Sequence, residues 1–532
     1  MKKNNDIIIS QDMYLELKEK LLKLKKTKKE FVKNLEQARL SDVSEDTDAI
    51  NAVTSEIQNI DEEISETKEM ISNAKIIKKT SCKSKIQIGS EVKARANGKV
   101  VTYTIVSNVE ADHMKNKIYF LILIPLFFPS FLLAQDTTTV QKPHVHFGGF
   151  FRFDYWLDTR QNVDALDGLL TLYPKPPLLD ANGEDINAAP NLNGLAMGTR
   201  LNASVKMPKI FNAKSSVFVE ADFTGTNNTQ VHLRFRHGFS RFTWESGTEL
   251  DVGLTWHPMF VAEVFPHVAA LNTGSPFQSF NRSPQITLKQ NISPSIRLIL
   301  SALTQSDYKG FGPDGYSTTY LRNGIVPNLH AQLQAKHESI TAGFALDFKS
   351  LRPKLYTTSI TDPGNIYKTK ERINSLSGML YAKYQNHLFT AKVKGIWGQN
   401  LGDHLMFGGY AISSIDSLTG REHYTPLNHL FLHANITYGQ KFMPGIYVAY
   451  AKNMGATQEL SSNTLYGRGY DVDYAYRIAP NFTYRNKSFS IIAELEYTVA
   501  AIGTNDINAK GKVINAESAS NARVLLMVQY DF

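Results

Sequence analysis

The sequence predicts a mainly β protein: a transmembrane antiparallel β-barrel of about sixteen strands, preceded by an α-helical coiled-coil hairpin and a truncated β-rich fragment. Three observations carry this. The stretch Ala522 to Phe532 (ARVLLMVQYDF) places Val524, Leu526, Val528, Tyr530 and Phe532 at every second position, the period of a strand with one apolar face. The same alternation recurs upstream in segments of roughly ten residues, whereas the last strand taken alone would also fit a soluble sandwich. Composition also changes abruptly near residue 113, from Lys, Glu, Ile and Leu without Pro or Trp to Phe, Tyr, Asn, Thr, Gly and Pro.

Bulk properties narrow the class. Hydrophobic residues make up 42% of the 532 residues, and no clean apolar run reaches the ~18–20 residues of a membrane-crossing helix, which excludes a polytopic helical membrane protein. A barrel hides in such a composition because only alternate strand residues face lipid. Aromatics reach 11%, with 24 Tyr and 29 Phe, which suits girdles at the membrane interfaces. A formal charge of +8 is too mild at this size to indicate nucleic acid. The one cysteine, Cys82, excludes an intrachain disulfide framework and a Cys-based zinc site.

Residues 1–80 read as the hairpin. Met13, Leu17, Leu21, Leu24, Phe31 and Leu35 recur at helical spacing between Ser10, a candidate N-cap, and Leu40. Ile50, Val53, Ile57, Ile60, Ile64 and Met70 line one face of a second helix from about Thr47 to Ala74. The acidic link Ser41 to Asp46 is short enough to fold the two into an antiparallel coiled coil. The lysines of the first helix, Lys18 to Lys33, read as a solvated basic face. In residues 81–113, Asn97-Gly98 marks a hairpin turn between alternating strands.

Three stretches of this region, NLEQARLSDVSEDTD at the tip, NAKII closing the hairpin and IGSEV…VTYTIV…EAD beyond it, resemble the Gre transcript-cleavage factors of bacterial RNA polymerase. The resemblance implies a hairpin that enters the polymerase secondary channel, then an FKBP-like domain that here stops after about its first two strands. It also implies that Asp42 and Glu45, at the acidic tip positions, help hold the polymerase's Mg²⁺, which activates water against RNA; the plainer reading is a solvated acidic turn. Ser41, Asp46 and Ala49 depart from the Gly, Asn and aromatic residue of that family.

Residues 114–135 (MKNKIYFLILIPLFFPSFLLAQ) have the parts of a secretory signal peptide. Lys115 and Lys117 form a basic start, Ile118 to Leu133 a short apolar core broken by Pro125 and Pro129, and Ala134 a small residue before Gln135. Cleavage is expected between Ala134 and Gln135. A signal inside a chain points to a chimeric reading frame, with 135–532 exported and 1–113 cytoplasmic if translated. Residues 136–144 are then a linker and 145–532 the barrel.

In that region Val145, Phe147, Phe151, Phe153, Tyr155 and Leu157 alternate with Arg152 and Asp154. Leu195, Met197, Leu201, Ala203, Val205 and Met207 oppose Arg200, Asn202, Ser204 and Lys206. Val217, Val219, Ala221 and Phe223 oppose Glu220 and Asp222; Val231, Leu233, Phe235 and Phe239 oppose His232, Arg234 and Arg236. Further strands are expected near 249–257, 285–291, 295–304, 328–336, 339–349, 373–384, 387–397, 427–439, 444–453, 473–485, 488–500 and 521–532. Long loops at 162–193, 306–320, 352–371 and 402–424 alternate with short turns, as extracellular loops do with periplasmic turns. Lipid-facing Arg or Lys costs about 2–4 kcal/mol at the midplane, so charges must face the lumen. Arg152, Asp154, Arg200, Glu220, Asp222, Arg234, Arg236 and Arg241 are therefore candidate pore-lining residues. The arginines either form a basic ladder that favours anions or pair with the carboxylates to satisfy a polar interior.

His232 to Phe260 (HLRFRHGFSRF…LDVGLTWHPMF) and Arg282 to Gln290 (RSPQITLKQ) resemble the DcaP-like porins. The resemblance implies a sixteen-stranded, homotrimeric diffusion porin for small anionic solutes, set in outer-membrane lipid of a Gram-negative bacterium, with no cofactor and no metal of its own. A final aromatic such as Phe532 is common in outer-membrane barrels. Neither a Gly-x-Ser-x-Gly nucleophile nor paired histidines at metal spacing appear; His144, His146, His423, His429 and His433 read as lumen or interface residues, so an enzyme or adhesin on this scaffold is the weaker reading. The competing function is a Gre-type elongation factor to which a barrel has been joined.

Overall fold

The computed structural model describes residues 7–40, 60, 63–65, 67–68, 70–77, 91–96, 99–104, 144–227 and 230–532. The chain divides into two compact units, residues 1–135 and 136–532.

In the first unit β1 (Ile7–Ser10) leads into α1 (Gln11–Leu40), and β2 (Ala74–Ile77) pairs with β1 in parallel. Ser10, expected as a cap, ends β1 instead, and this small sheet was not legible in the helical periodicity. Met13 and Leu17 are buried with Met70, Ile71 and Ala74 packed against them, while Lys20 lies 3.5 Å from Glu63. Partners whose numbers rise on one side and fall on the other are what antiparallel helices require. β3 (Glu91–Ala96) and β4 (Lys99–Thr104) pair with Ala96 opposite Lys99, flanking the expected turn. Asn97-Gly98, the tip with Asp42 and Glu45, the signal segment with Ala134 and Gln135, and the linker up to residue 143 lie outside the described residues.

The second unit is a closed antiparallel barrel. In chain order it contains β5 (His144–Asp158), β6 (Asn162–Ala165), β7 (Leu170–Pro174), β8 (Asn191–Leu195), β9 (Arg200–Ile210), β10 (Ala213–Asn227), β11 (Gln230–Thr243), β12 (Thr248–Trp256), β13 (Arg282–Ser293) and β14 (Ile296–Leu303). There follow β15 (Gly310–Gly312), β16 (Gly315–Ser317), α2 (Thr319–Gly324), β17 (Asn328–His337), β18 (Ile340–Leu351), β19 (Tyr356–Thr358), β20 (Ile366–Lys368), β21 (Ile373–Gln385) and β22 (Phe389–Gln399). The last are β23 (Gly408–Ile415), β24 (Glu422–Tyr438), β25 (Phe442–Ala456), β26 (Leu465–Arg468), β27 (Val472–Asn486), β28 (Phe489–Asp506) and β29 (Lys512–Asp531).

Sixteen strand positions make the wall, with β8 and β9 sharing one of them, and β29 pairs back onto β5 to close it. All sixteen expected segments are wall strands. The loops between wall strands carry short pairs that the alternation does not predict: β6 with β7, β15 with β16, β19 with β20, and β23 with β26.

Alternation sets the faces. On β5, Phe147, Phe151, Phe153, Tyr155 and Leu157 are 38–76% exposed toward the membrane side, whereas Arg152, Asp154, Trp156 and Asp158 turn inward and are buried. Tyr384, Tyr438, Phe442, Phe482, Tyr530 and Phe532 are exposed near the short turns, forming one aromatic girdle. Three expected orientations are corrected. Leu195, opposite the inward Asp154, packs against the inner cluster around Trp156. Met197 faces inward against Trp156 and Leu525, because a turn at 196–199 separates β8 from β9 and resets the phase. Phe239 also faces inward. Glu220 pairs with His237 but Ala221 with Phe235, so Arg236 is an extra residue in a bulge, and His237, Phe239 and Arg241 follow it on the inner face.

Candidate functional site: the barrel interior

Residues 257–281, between β12 and β13, enter the barrel and fasten to its inner wall. Lys394 of β22 donates to the carbonyls of Met259 (2.6 Å) and Phe260 (3.0 Å). The amides of Ala269 and Ala270 donate to Glu494 of β28 at 2.7 and 3.1 Å. Arg152 of β5 reaches the Ala269 carbonyl at 2.5 Å, Tyr447 of β25 the Gly274 carbonyl at 3.0 Å, and Arg477 of β27 the Ser275 carbonyl at 2.8 Å. Met259, Val261, Val264, Phe277 and Phe280 form a core inside the barrel with Leu170, Leu172 and Tyr173 of β7. This constriction loop therefore fills the lumen beside β22, β24, β25, β27, β28 and β5.

The expected pore-lining residues gather on the inner face of β5 and β9 to β11, and each arginine has a carboxylate. Arg152 meets Asp154 at 2.7 Å, and Arg200 lies 3.6 Å from Glu220. Arg234 meets Asp222 at 3.0 Å; Arg236 bridges Glu220 (2.9 Å) and Asp222 (2.6 Å). Arg241 meets Asp251 (2.7 Å) and Glu249 (3.3 Å), which also hold Lys289 of β13. The arrangement is a neutralised network, the second of the two readings open at the sequence level. Arg282 differs. It is buried among the rings of Trp256, Phe280 and Tyr308, at 4.9, 5.6 and 5.2 Å, and donates to the Tyr308 hydroxyl at 3.0 Å. Its Nε and Nη1, the Nη2 of Arg236 and the Nε of Arg200 have no hydrogen-bond partner among the described residues, which leaves N–H donors for water or a solute.

Unneutralised charge lies toward the short-turn end. A polar cavity of about 660 Å³ is lined by Glu263 of the constriction loop, Arg297, Gln334, Lys336, Glu338, Thr341 and Lys383, among others. Lys336, Thr341, Lys383 and Lys392 stand opposite one another across β17, β18, β21 and β22. Among the described residues none of these three lysines has an ion pair; Lys392 donates to the Phe265 carbonyl at 2.9 Å. At the loop end, Arg160 meets Asp185 at 2.7 Å. Burial pushes the Asp185 carboxyl up, but the Leu178 amide and the Arg160 guanidinium outweigh it and hold the group below the usual carboxylate range.

Of the histidines singled out in the sequence, His429 and His433 share the inner face of β24 with Phe431, and His423 pairs with Glu371 at 3.1 Å. Sequence reasoning missed the constriction loop, Arg282 and the lysine row. The lysines carried a usable signal, since each sits at an inward position of an expected strand. The loop carried none, because its apolar residues follow no period.

No protein-family model and no curated protein matches the chain. Among solved structures it is similar to the outer membrane channel DcaP of Acinetobacter baumannii, at 14% identity over 73% of this chain and 97% of that one, with a TM-score of 0.52. It also aligns with OmpT of Vibrio cholerae at 9% identity over 73% of this chain and 98% of that one, with a TM-score of 0.43. The DcaP likeness shows a shared fold, the closed barrel.

Proposed function

We propose that residues 144–532 form an outer-membrane porin through which small anionic solutes diffuse, as a homotrimer embedded in outer-membrane lipid. The row of unpaired lysines beside the polar cavity carries the reading. A closed wall with an apolar outer face suits lipid, and inner-face cations without ion pairs, which outnumber Glu263 and Glu338 in the cavity lining, raise the local concentration of anions. The arginine network on the other wall supplies polarity with little net charge.

Planar-bilayer recordings under a salt gradient test this. The expected result is stepwise passive conductance with a reversal potential on the anion side. The triple variant Lys336→Gln, Lys383→Gln, Lys392→Gln moves that potential toward zero or past it. Closure of each inserted unit in three equal steps reports the trimer. Cation preference in the unmodified protein would sink the anion reading.

For the amino-terminal unit, the antiparallel packing of Met13 and Leu17 on Met70 and Ile71 supports a hairpin of the Gre kind that engages RNA polymerase where that segment is translated. Transcript cleavage in arrested elongation complexes, dependent on Mg²⁺ and abolished by Asp42→Ala with Glu45→Ala, is the result expected of an active tip. Cleavage unchanged by those substitutions would remove the tip from the reaction.

A further inference from the structure

The constriction loop starts at His257, and behind this residue donor atoms from the loop, β17 and β18 converge. We propose that His257, Asn328, His330 and Asp347 hold a divalent transition-metal ion of the Zn²⁺ class at the root of the loop. All four are at least nine-tenths buried. His257 Nε2 lies 3.4 Å from Asn328 Oδ1 and 3.5 Å from Asp347 Oδ2, and His330 Nδ1 lies 3.2 Å from Asp347 Oδ2. A tetrahedral ion with bonds of about 2.0–2.1 Å keeps its ligand atoms about 3.4 Å apart. The ligand atoms of His257, His330 and Asp347 all lie within 4.8 Å of one another.

Proton placement makes the same point independently. The Gln332 amide nitrogen donates to the Tyr381 hydroxyl at 2.7 Å, so its oxygen faces His330 Nε2 at 3.1 Å and accepts from it. That fixes the ring proton on Nε2 and turns the Nδ1 lone pair toward a carboxylate. A carboxylate oxygen 3.2 Å from that nitrogen makes a geometry that suits a shared cation. The Asn328 amide nitrogen occupies the other oxygen of Asp347 at 2.9 Å, leaving Oδ2 for the ion. The ring of His404 stands 4.6 Å from that of His257, with Nδ1 on Ser279 Oγ at 2.7 Å and Nε2 without a partner among the described residues. Two imidazoles and hard oxygens suit Zn²⁺ and Co²⁺ better than Ca²⁺ or Mg²⁺.

Loading has one cost. With Nε2 on the metal, His257 must carry its ring proton on Nδ1, so the 3.2 Å bond from the Met259 amide gives way. The ion is thereby coupled to the first turn of the constriction loop. The site stands independently of whether solutes cross the barrel.

The test refolds the full chain in detergent with Co²⁺ as the probe, followed by gel filtration. About one retained equivalent per chain, with the intense visible bands of a four-coordinate centre and displacement by Zn²⁺, is expected. His330→Gln should remove binding, and Gln332→Met should weaken it about 10–100-fold through the loss of the partner that orients His330. Folding of each variant is read from gel mobility without heating. If His330→Gln does not fold, the unmodified chain still decides. No retained Co²⁺, or an octahedral spectrum that Gln332→Met leaves unchanged, overturns the proposal.

Discussion

Arg236 sits between Glu220 and Asp222 at 2.9 and 2.6 Å, with almost no solvent access. Truncating it leaves Glu220 with only the more distant Arg200 at 3.6 Å and Asp222 with only Arg234, and breaking a buried pair from one side costs about 3–5 kcal/mol. Arg236→Ala should therefore lower unfolding stability by that order in urea titrations of the detergent-folded protein. Removing the charges together, with Arg236→Met, Glu220→Gln and Asp222→Asn joined by Arg200→Gln and Arg234→Gln, which share those carboxylates, should cost far less, because no lone charge remains. Lys383→Gln behaves oppositely: its side chain has no ion partner among the described residues, so stability holds while reversal potential moves. The sequence shows that Arg152, Arg200 and Arg234 turn inward, since period-two alternation decides that alone. It does not show which carboxylate each meets. Asp251 and Glu249, which hold Arg241, sit on the neighbouring strand, and only the register places Asp251 opposite it and Glu249 two residues along.

At the scale of elements, the sixteen wall strands were legible because lipid on one side and a polar interior on the other impose a strict alternation. Where that constraint lapses, legibility lapses too. The bulge at Arg236 and the turn at 196–199 each shift the phase, which is why Phe239 and Met197 face inward. The constriction loop answers to neither face. It is held by individual hydrogen bonds from strands far away in sequence, and the histidines at its root come from three separate elements for the same reason. Glu494 accepts the amides of both Ala269 and Ala270. Glu494→Ala should free the middle of the loop without touching any wall ladder. The expected signature is larger and noisier single-channel conductance with unchanged strand content by circular dichroism. A conductance identical to that of the unmodified protein would mean that the core around Phe277 and Phe280 holds the loop without those bonds.

For the whole molecule, the decisive pairing joins the two ends of the barrel unit. Gly149 and Phe532 exchange backbone hydrogen bonds of 3.1 Å, and β29 runs antiparallel to β5 from Arg523 opposite Asp158 to Asp531 opposite Phe150. Closure removes two sheet edges that would otherwise be left to pair with other chains. Among the described residues every ladder of the wall lies within 144–532. A chain beginning at Gln135, the product expected of signal cleavage, should therefore fold in detergent to a barrel with the same heat-modifiable gel mobility as the full chain. A chain that keeps residues 1–527 but lacks 528–532 should not. It loses the pairs of Val528 with Phe153 and Tyr530 with Phe151 and the bonds to Gly149, which opens the seam next to the aromatic girdle. If instead the truncated chain closes and the one starting at Gln135 does not, the seam is not what completes the wall, and the amino-terminal unit supports the barrel in a way its ladders do not express.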